Sequence, residues 1–146
     1  MHEPEGYDES ATGCVVELLR TGSVVNARLA GALRPHGLTE ASFNVLMILE
    51  GSDRALCPHE IGERRLVTRG TVTGVLDSLE RHDLIRRSPH PADRRMLLIE
   101  LTPAGRDLLA KALPDVRRAE ADVMDGLSTT ERDTLQRLLR KAGTIV

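Results

Sequence analysis

Apolar residues recur along the chain in two rhythms, a helical one over most of its length and a short alternating one past its middle. Val15, Leu18, Leu19, Gly22, Val25, Leu29, Ala32 and Leu33 fall three and four apart, which predicts a first helix from about Ser10 to His36. Gly37 can take the left-handed conformation that ends many helices. Thr39 predicts the N-cap of a second helix reaching Glu50, with Phe43, Leu46 and Leu49 inward and Gly51 at its end. Pro58 suits the first position of a third helix through about Leu66, with Glu60 in its first turn. A fourth helix, about Arg69 to His82, gathers Val72, Val75, Leu76 and Leu79 on one face, which predicts docking on the third. The rhythm then changes. Leu97, Ile99 and Leu101 alternate with Met96, Leu98 and Glu100, the period of a strand.

Helical spacing returns after Thr102, which caps, and Pro103, which suits N1. Leu108, Leu109, Ala112, Leu113, Val116, Val123 and Met124 make one stripe, with Pro114 predicted to kink the helix and Gly126 to stop it. Ser128 and Glu131 have capping-box spacing and open a last helix carrying Leu135, Leu138 and Leu139. The expected fold is mainly α with a small β-wing, in the order α-α-α-α-β-β-α-α. Residues 1–8 are expected to be a disordered acidic arm, 38–102 a winged helix-turn-helix module, and 9–37 with 103–146 a helical dimerisation region.

Composition narrows the class. With 146 residues, 40% hydrophobic but only 1% aromatic, the chain is expected to be one domain with an aliphatic core. No apolar run approaches the roughly 20 residues of a membrane span, and the acidic start lacks a secretory pattern, so a cytoplasmic protein without a membrane role is expected. Cys14 and Cys57 are too few for a disulfide framework. The sequence holds no Gly-rich phosphate loop, no His-Glu-x-x-His and no paired cysteine clusters. His2, His36, His59, His82 and His90 lack ligand spacing, so neither an enzyme, a metal site nor a cofactor is expected.

Charge changes the picture through its distribution. Net charge is −2, yet the stretch from Arg54 to Arg106 holds ten arginines against seven carboxylates. Arg64, Arg65, Arg69, Arg86, Arg87, Arg94 and Arg95 crowd around one helix and one loop, the footprint of double-stranded DNA as partner. At the start of the fourth helix Thr68, Arg69, Thr71 and Thr73 offer hydroxyls and a guanidinium to base edges and phosphates. Gly70 and Gly74 would let the backbone come close, although a Thr-rich amphipathic helix is the plain alternative. In the loop from Ser88 to Arg95, Pro89 and Pro91 stiffen a hairpin. Asp93 is spaced to pair with Arg95 and aim its guanidinium outward, with Arg94 beside it. A winged scaffold that binds only protein would not need this basic wing.

Element order, Asp93-x-Arg95, the strand ending Leu101-Thr102 and Gly105 together resemble the MarR family of bacterial transcriptional regulators, over about Ser10 to Arg140. The resemblance implies a repressor in which the fourth helix enters the major groove and the wing arginine the minor groove. The implied DNA-contacting set is Arg64, Thr68, Arg69, Thr71, Thr73, Arg86, Asp93, Arg94 and Arg95. One departure is Asp83, where the family often has Gly after the recognition helix.

The terminal stripes also need cover. A homodimer supplies it, as the family's interface implies, and would set two recognition helices about 34–36 Å apart on a palindrome; packing within one chain is the alternative. Small aromatic acids are the effectors the resemblance implies. Cys14, placed roughly where a peroxide-sensing branch keeps its reactive thiol, and Cys57, before Pro58, are the candidates for a thiol switch. The tyrosines that accompany that thiol are missing, Tyr7 being the only one in the chain.

Overall fold

The computed structural model describes residues 6–64 and 72–143. Helix α1 spans Glu9–Leu33, α2 Glu40–Glu50, α3 Pro58–Arg64, α4 Val72–Arg81, α5 Pro103–Val123 and α6 Thr129–Ala142. Strands β1 (Ile85–Pro89) and β2 (Leu97–Leu101) form an antiparallel pair, with Ile85 opposite Leu101 and Pro89 opposite Leu97. The mainly α order with one β-hairpin is the expected one. The start of the fourth helix at Arg69 and the end of the third at Leu66 lie outside the described residues.

Three expectations are corrected. The first helix does not run to His36: α1 stops at Leu33 and a 3-10 turn covers Arg34–His36. Pro35 is the reason, since it lacks an N–H for the α-helical ladder and sits where a new turn begins. Gly37 then takes φ 69°, and its N–H donates to the Arg34 carbonyl. At the other end, Asp8 belongs to the helix rather than to a disordered arm. Its carboxylate accepts the N–H groups of Ser10 and Ala11 at 3.0 and 3.1 Å, as an N-cap does. Third, the wing loop is shorter than Ser88–Arg95, because Ser88 and Pro89 still pair with β2. Pro89 has no N–H to give, which suits the end of a strand in a two-stranded ribbon.

The hairpin has a third, unforeseen neighbour. Leu56 exchanges backbone hydrogen bonds with Ile99, its N–H donating at 3.1 Å and its carbonyl accepting at 2.7 Å. Both side chains are wholly buried. A single residue cannot show a period, so no strand pattern announced it.

The chain divides into two compact units, residues 30–117 and residues 1–29 with 118–146. In the first, α2 packs against α3, α4 and β2, and α4 against α3 and β1. Its core is aliphatic: Leu33, Leu46, Leu56, Ile61, Leu76 and Ile99 are the largest fully buried side chains. The docking of α4 on α3 is the expected one. No polar or charged residue is fully buried among the described residues; the one buried side-chain nitrogen without a hydrogen bond among them is Arg87 Nε.

In the second unit, α6 begins with the expected capping box: Ser128 accepts from the Glu131 N–H and Glu131 from the Ser128 N–H. The Arg132 guanidinium donates to the Met124 carbonyl and closes the preceding turn. The apolar stripes of α1 and α6 are only partly covered. Leu19 stays 69% exposed and Leu138 49%. An open, mostly apolar groove of about 650 Å³ runs between them, lined by Leu18, Val25, Leu135, Leu138 and Leu139, with Cys14 at its side.

Candidate nucleic-acid interface

The junction between α4 and the wing is built by three residues that stand out in the sequence. After α4 the chain turns on Asp83, the single non-glycine with positive φ (56°) among the described residues. The Asp83 N–H donates to the Glu80 carbonyl and the Leu84 N–H to the Leu79 carbonyl, both at 3.0 Å. That pair of bonds is the Schellman ending, in which glycine is usual because its lack of a Cβ removes the left-handed penalty. Here Thr102 compensates: its hydroxyl donates to the Asp83 carbonyl at 2.6 Å and accepts from the Gly105 N–H at 3.0 Å. The Thr102 N–H donates to Leu84. Gly105 is buried against this turn, and a Cβ there would lie 2.1 Å from the Leu84 carbonyl oxygen. Only glycine lets α5 start so close to the head of β1. Asp83, Thr102 and Gly105 thus make one joint between α4, β1 and α5.

The wing tip is closed from within. The His90 N–H donates to Met96 and the Met96 N–H to Asp93, both at 3.0 Å, while His90 Nδ1 accepts from the Ala92 N–H. Asp93 Oδ1 accepts from the Arg95 N–H at 3.0 Å and from its Nε at 3.1 Å, and Oδ2 from Nη2 at 3.2 Å. The Arg95 side-chain hydrogen bonds first, then its backbone N–H, hold the Asp93 carboxyl below its ordinary range. The carboxylate is anchored, at 33% exposure, while the Arg95 side chain is 91% exposed. Arg94 beside it is exposed as well. The spacing read from sequence therefore builds a guanidinium held by its base and presented to solvent.

Of the other residues singled out for DNA, Thr68, Arg69 and Thr71 lie outside the described residues. Thr73 is exposed on the first described turn of α4, and Arg64 is exposed on the last turn of α3. These turns adjoin, for a Cβ on Gly62 would lie 3.6 Å from Val72 Cγ2. Arg86 is exposed but pairs across the ribbon with Glu100 at 3.3 Å. Sequence reasoning gave Arg87 no separate role. It is turned from solvent and bound to α4 through Asp77 at 2.7 Å.

Glu60 is a second organising carboxylate. It accepts the Cys57 N–H at 2.8 Å and pairs with Arg54, so the start of α3 is capped and tied to the preceding loop. The Arg54 hydrogen bond first, then the Cys57 N–H, lower its pKa to about 2. Cys57 does stand at the head of α3, with its side chain buried, whereas Cys14 is exposed. Among the described residues no group of three or more His, Cys, Asp or Glu is placed to hold a metal ion. No helix among them is long and apolar enough to cross a membrane.

Comparison with known proteins agrees with this geometry. The family model for MarR matches residues 36–96. The transcriptional repressor YetL of Bacillus subtilis is 38% identical over 104 residues, covering 70% of this chain. The match spans 62% of the length of YetL. The transcriptional repressor Mb2911 of Mycobacterium bovis is 32% identical over 127 residues, covering 87% of this chain and 91% of that protein. Among solved structures, BpsR of Bordetella bronchiseptica, whose DNA binding is regulated by 6-hydroxynicotinic acid, superposes with a TM-score of 0.82. It is 27% identical, and each chain is covered completely.

Proposed function

This chain belongs to the MarR family of transcriptional regulators, and from that premise we propose a homodimeric, ligand-released repressor acting on a palindromic operator in the cytoplasm. The observation that carries the reading is Arg95, held by Asp93 at the tip of a hairpin that is itself locked to α4. A guanidinium so presented suits the negative potential of a narrow minor groove. Arg94 reinforces it, and Arg86 contacts the backbone from the ribbon. Thr73, with Arg64, Thr68, Arg69 and Thr71, serves the major groove and its flanking phosphates. The terminal helices form the dimer, consistent with apolar stripes left uncovered on α1 and α6. The protein regulates and does not catalyse. A small aromatic acid is the effector class, by analogy with the 6-hydroxynicotinic acid that regulates BpsR. It would act by favouring a spacing of recognition helices that mismatches the DNA.

The test starts from a duplex enriched by the protein from a random-sequence DNA pool. Arg95→Ala should weaken binding to it by about 1–3 kcal/mol and lower the salt slope by about 1. Thermal unfolding and light scattering should still report a folded dimer. Unchanged affinity, in this variant and in the Arg94→Ala, Arg95→Ala double, would remove the wing from the interface.

A further inference from the structure

Arg86 and Arg87 are neighbours on β1, yet the structure gives them opposite surroundings. Arg86 is 69% exposed on the ribbon, while Arg87 is 21% exposed and turned onto α4. Its Nη2 donates to Asp77 Oδ1 at 2.7 Å, and its Nε lies 3.8 Å from Glu80 Oε2. Asp77 and Glu80 stand three residues apart, on one face of the helix. Arg87 Nε is fully buried and has no hydrogen-bond partner, so Coulomb attraction to Glu80 is what offsets its desolvation. The cluster of one guanidinium and two carboxylates carries −1, which repels phosphate.

We infer that Arg87 is a positioning residue for DNA binding: it clamps the wing strand to the recognition helix and does not itself touch the duplex. The inference rests on the DNA-binding reading above. The physical need is clear from the ribbon. Two strands alone are marginal in water and twist easily; the joint at Asp83, Thr102 and Gly105 secures their base, and the Leu56 bridge holds β2, not β1, at Ile99. Arg87 sits two residues farther out than Ile85, opposite Ile99. An attachment of β1 to α4 there, across from the Leu56 bridge on β2, fixes the direction of the hairpin, and with it the reach of Arg95. Phosphate and base contacts on two grooves reinforce each other only when their geometry is held in advance.

The test uses the duplex enriched by the wild type and a scrambled one of equal length. Arg87→Met should lower the ratio of the two affinities roughly tenfold, within the coupling that contacting charged groups show. The salt slope should stay unchanged, because no phosphate contact is lost. Arg87→Lys, which keeps a charge for Asp77, should recover most of the ratio. The Asp77→Asn, Glu80→Gln double variant gives the opposite sign from simple electrostatics. It removes negative charge near DNA, yet should also lower the ratio, and it carries the test if Arg87→Met fails to fold. Equal affinity in Arg87→Met, a slope lowered by about 1, or a higher ratio in the carboxylate double variant would each overturn the clamp. A wild type that enriches no duplex would bring down the DNA reading itself, and this inference with it.

Discussion

Every buried apolar side chain among the described residues lies between Leu33 and Val116, in the winged unit, whereas Leu18, Leu19, Leu138 and Leu139 in the terminal-helix unit remain 42–69% exposed. Both units draw on the same aliphatic residues. The difference lies in the geometry available to each. The winged unit has helices and a hairpin that surround Leu46, Leu56, Ile61 and Ile99 from several sides. In the terminal unit two helix segments and one more helix leave a groove open between them. Apolar surface removed from water is worth about 25 cal/mol per Å², so such stripes favour association. One unit therefore carries its stability within itself, and the other, in the proposed dimer, would reach it through a second copy.

The comparison is broken most severely by removing α6. Deletion of residues 128–146 should leave the winged unit folded but yield monomers, which bind a single half-site. Operator affinity should then fall by about 10³ or more, towards the non-specific level. Light scattering and anisotropy titration measure both effects. A truncated protein that stays dimeric with undiminished affinity would show that α6 is no part of the assembly, and a monomeric wild type at micromolar concentration would refute the dimer altogether.

Two glycines sharpen the contrast at the next scale. A Cβ on Gly105 would strike the Leu84 carbonyl, which is backbone and cannot swing aside, while one on Gly13 would meet nothing within 4 Å. Gly105→Ala should destabilise the winged unit by about 3 kcal/mol through overpacking. Gly13→Ala, in an exposed helix, should stabilise by about 0.5–1 kcal/mol because less backbone entropy is lost on folding. Urea unfolding of the two variants checks both signs; equal midpoints would show that the joint at Thr102 and Gly105 is looser than its geometry.

Much of the winged unit was legible because its signals are local and periodic. The stripe Val72, Val75, Leu76, Leu79 named the docked face of α4, and the 3.6-residue and two-residue rhythms separated helices from ribbon. Asp93-x-Arg95 encodes an ion pair that closes within three residues, so spacing alone describes it. What escaped was non-local or single-residue. The Leu56 bridge to Ile99 joins positions 43 apart in sequence without a strand on the Leu56 side. Pro35 was a readable stop that helical apolar spacing across Ala32 and Leu33 masked. Asp83 stands where glycine is usual, and its left-handed turn is tied to Thr102, 19 residues away. The strand period puts Arg87 on the face of Ile85, but its partners Asp77 and Glu80 lie on another element, which spacing within the strand does not name.

Each unit also holds a helix-capping glutamate, and acid should separate them. Glu60 has the Arg54 partner as well as a backbone N–H, and its pKa falls from 4.5 to about 2. Glu131 is lowered too, by the backbone N–H of Ser128 first and its side chain second, without an arginine. A folded-state pKa below the unfolded value stabilises above pH 4.5 and loses that contribution as pH falls towards 2. Wild type should therefore lose stability across this window, and Glu60→Gln should flatten the profile more than Glu131→Gln. Urea midpoints between pH 6 and pH 2.5, a window set by that linkage, measure it. Equal flattening would place no special weight on the Arg54 pair.

The smallest expected effect concerns the thiols, one in each unit. A sensing cysteine must be accessible and must sit where oxidation moves something that DNA binding depends on. Cys57 stands at the head of α3, close to the DNA-binding helices, but is only 6% exposed, so oxidant reaches it slowly. Cys14 is accessible but lies beside the groove of the terminal unit, among residues outside the proposed DNA-contacting set. Access and leverage thus fall on different residues. The Cys14→Ser, Cys57→Ser protein should bind the enriched duplex as wild type does, before and after mild peroxide, and wild type should not release it. Reversible release by wild type alone, restored by dithiothreitol, would reverse this assignment. It would make the terminal unit a redox-sensitive one, with Cys14 as the residue to replace singly.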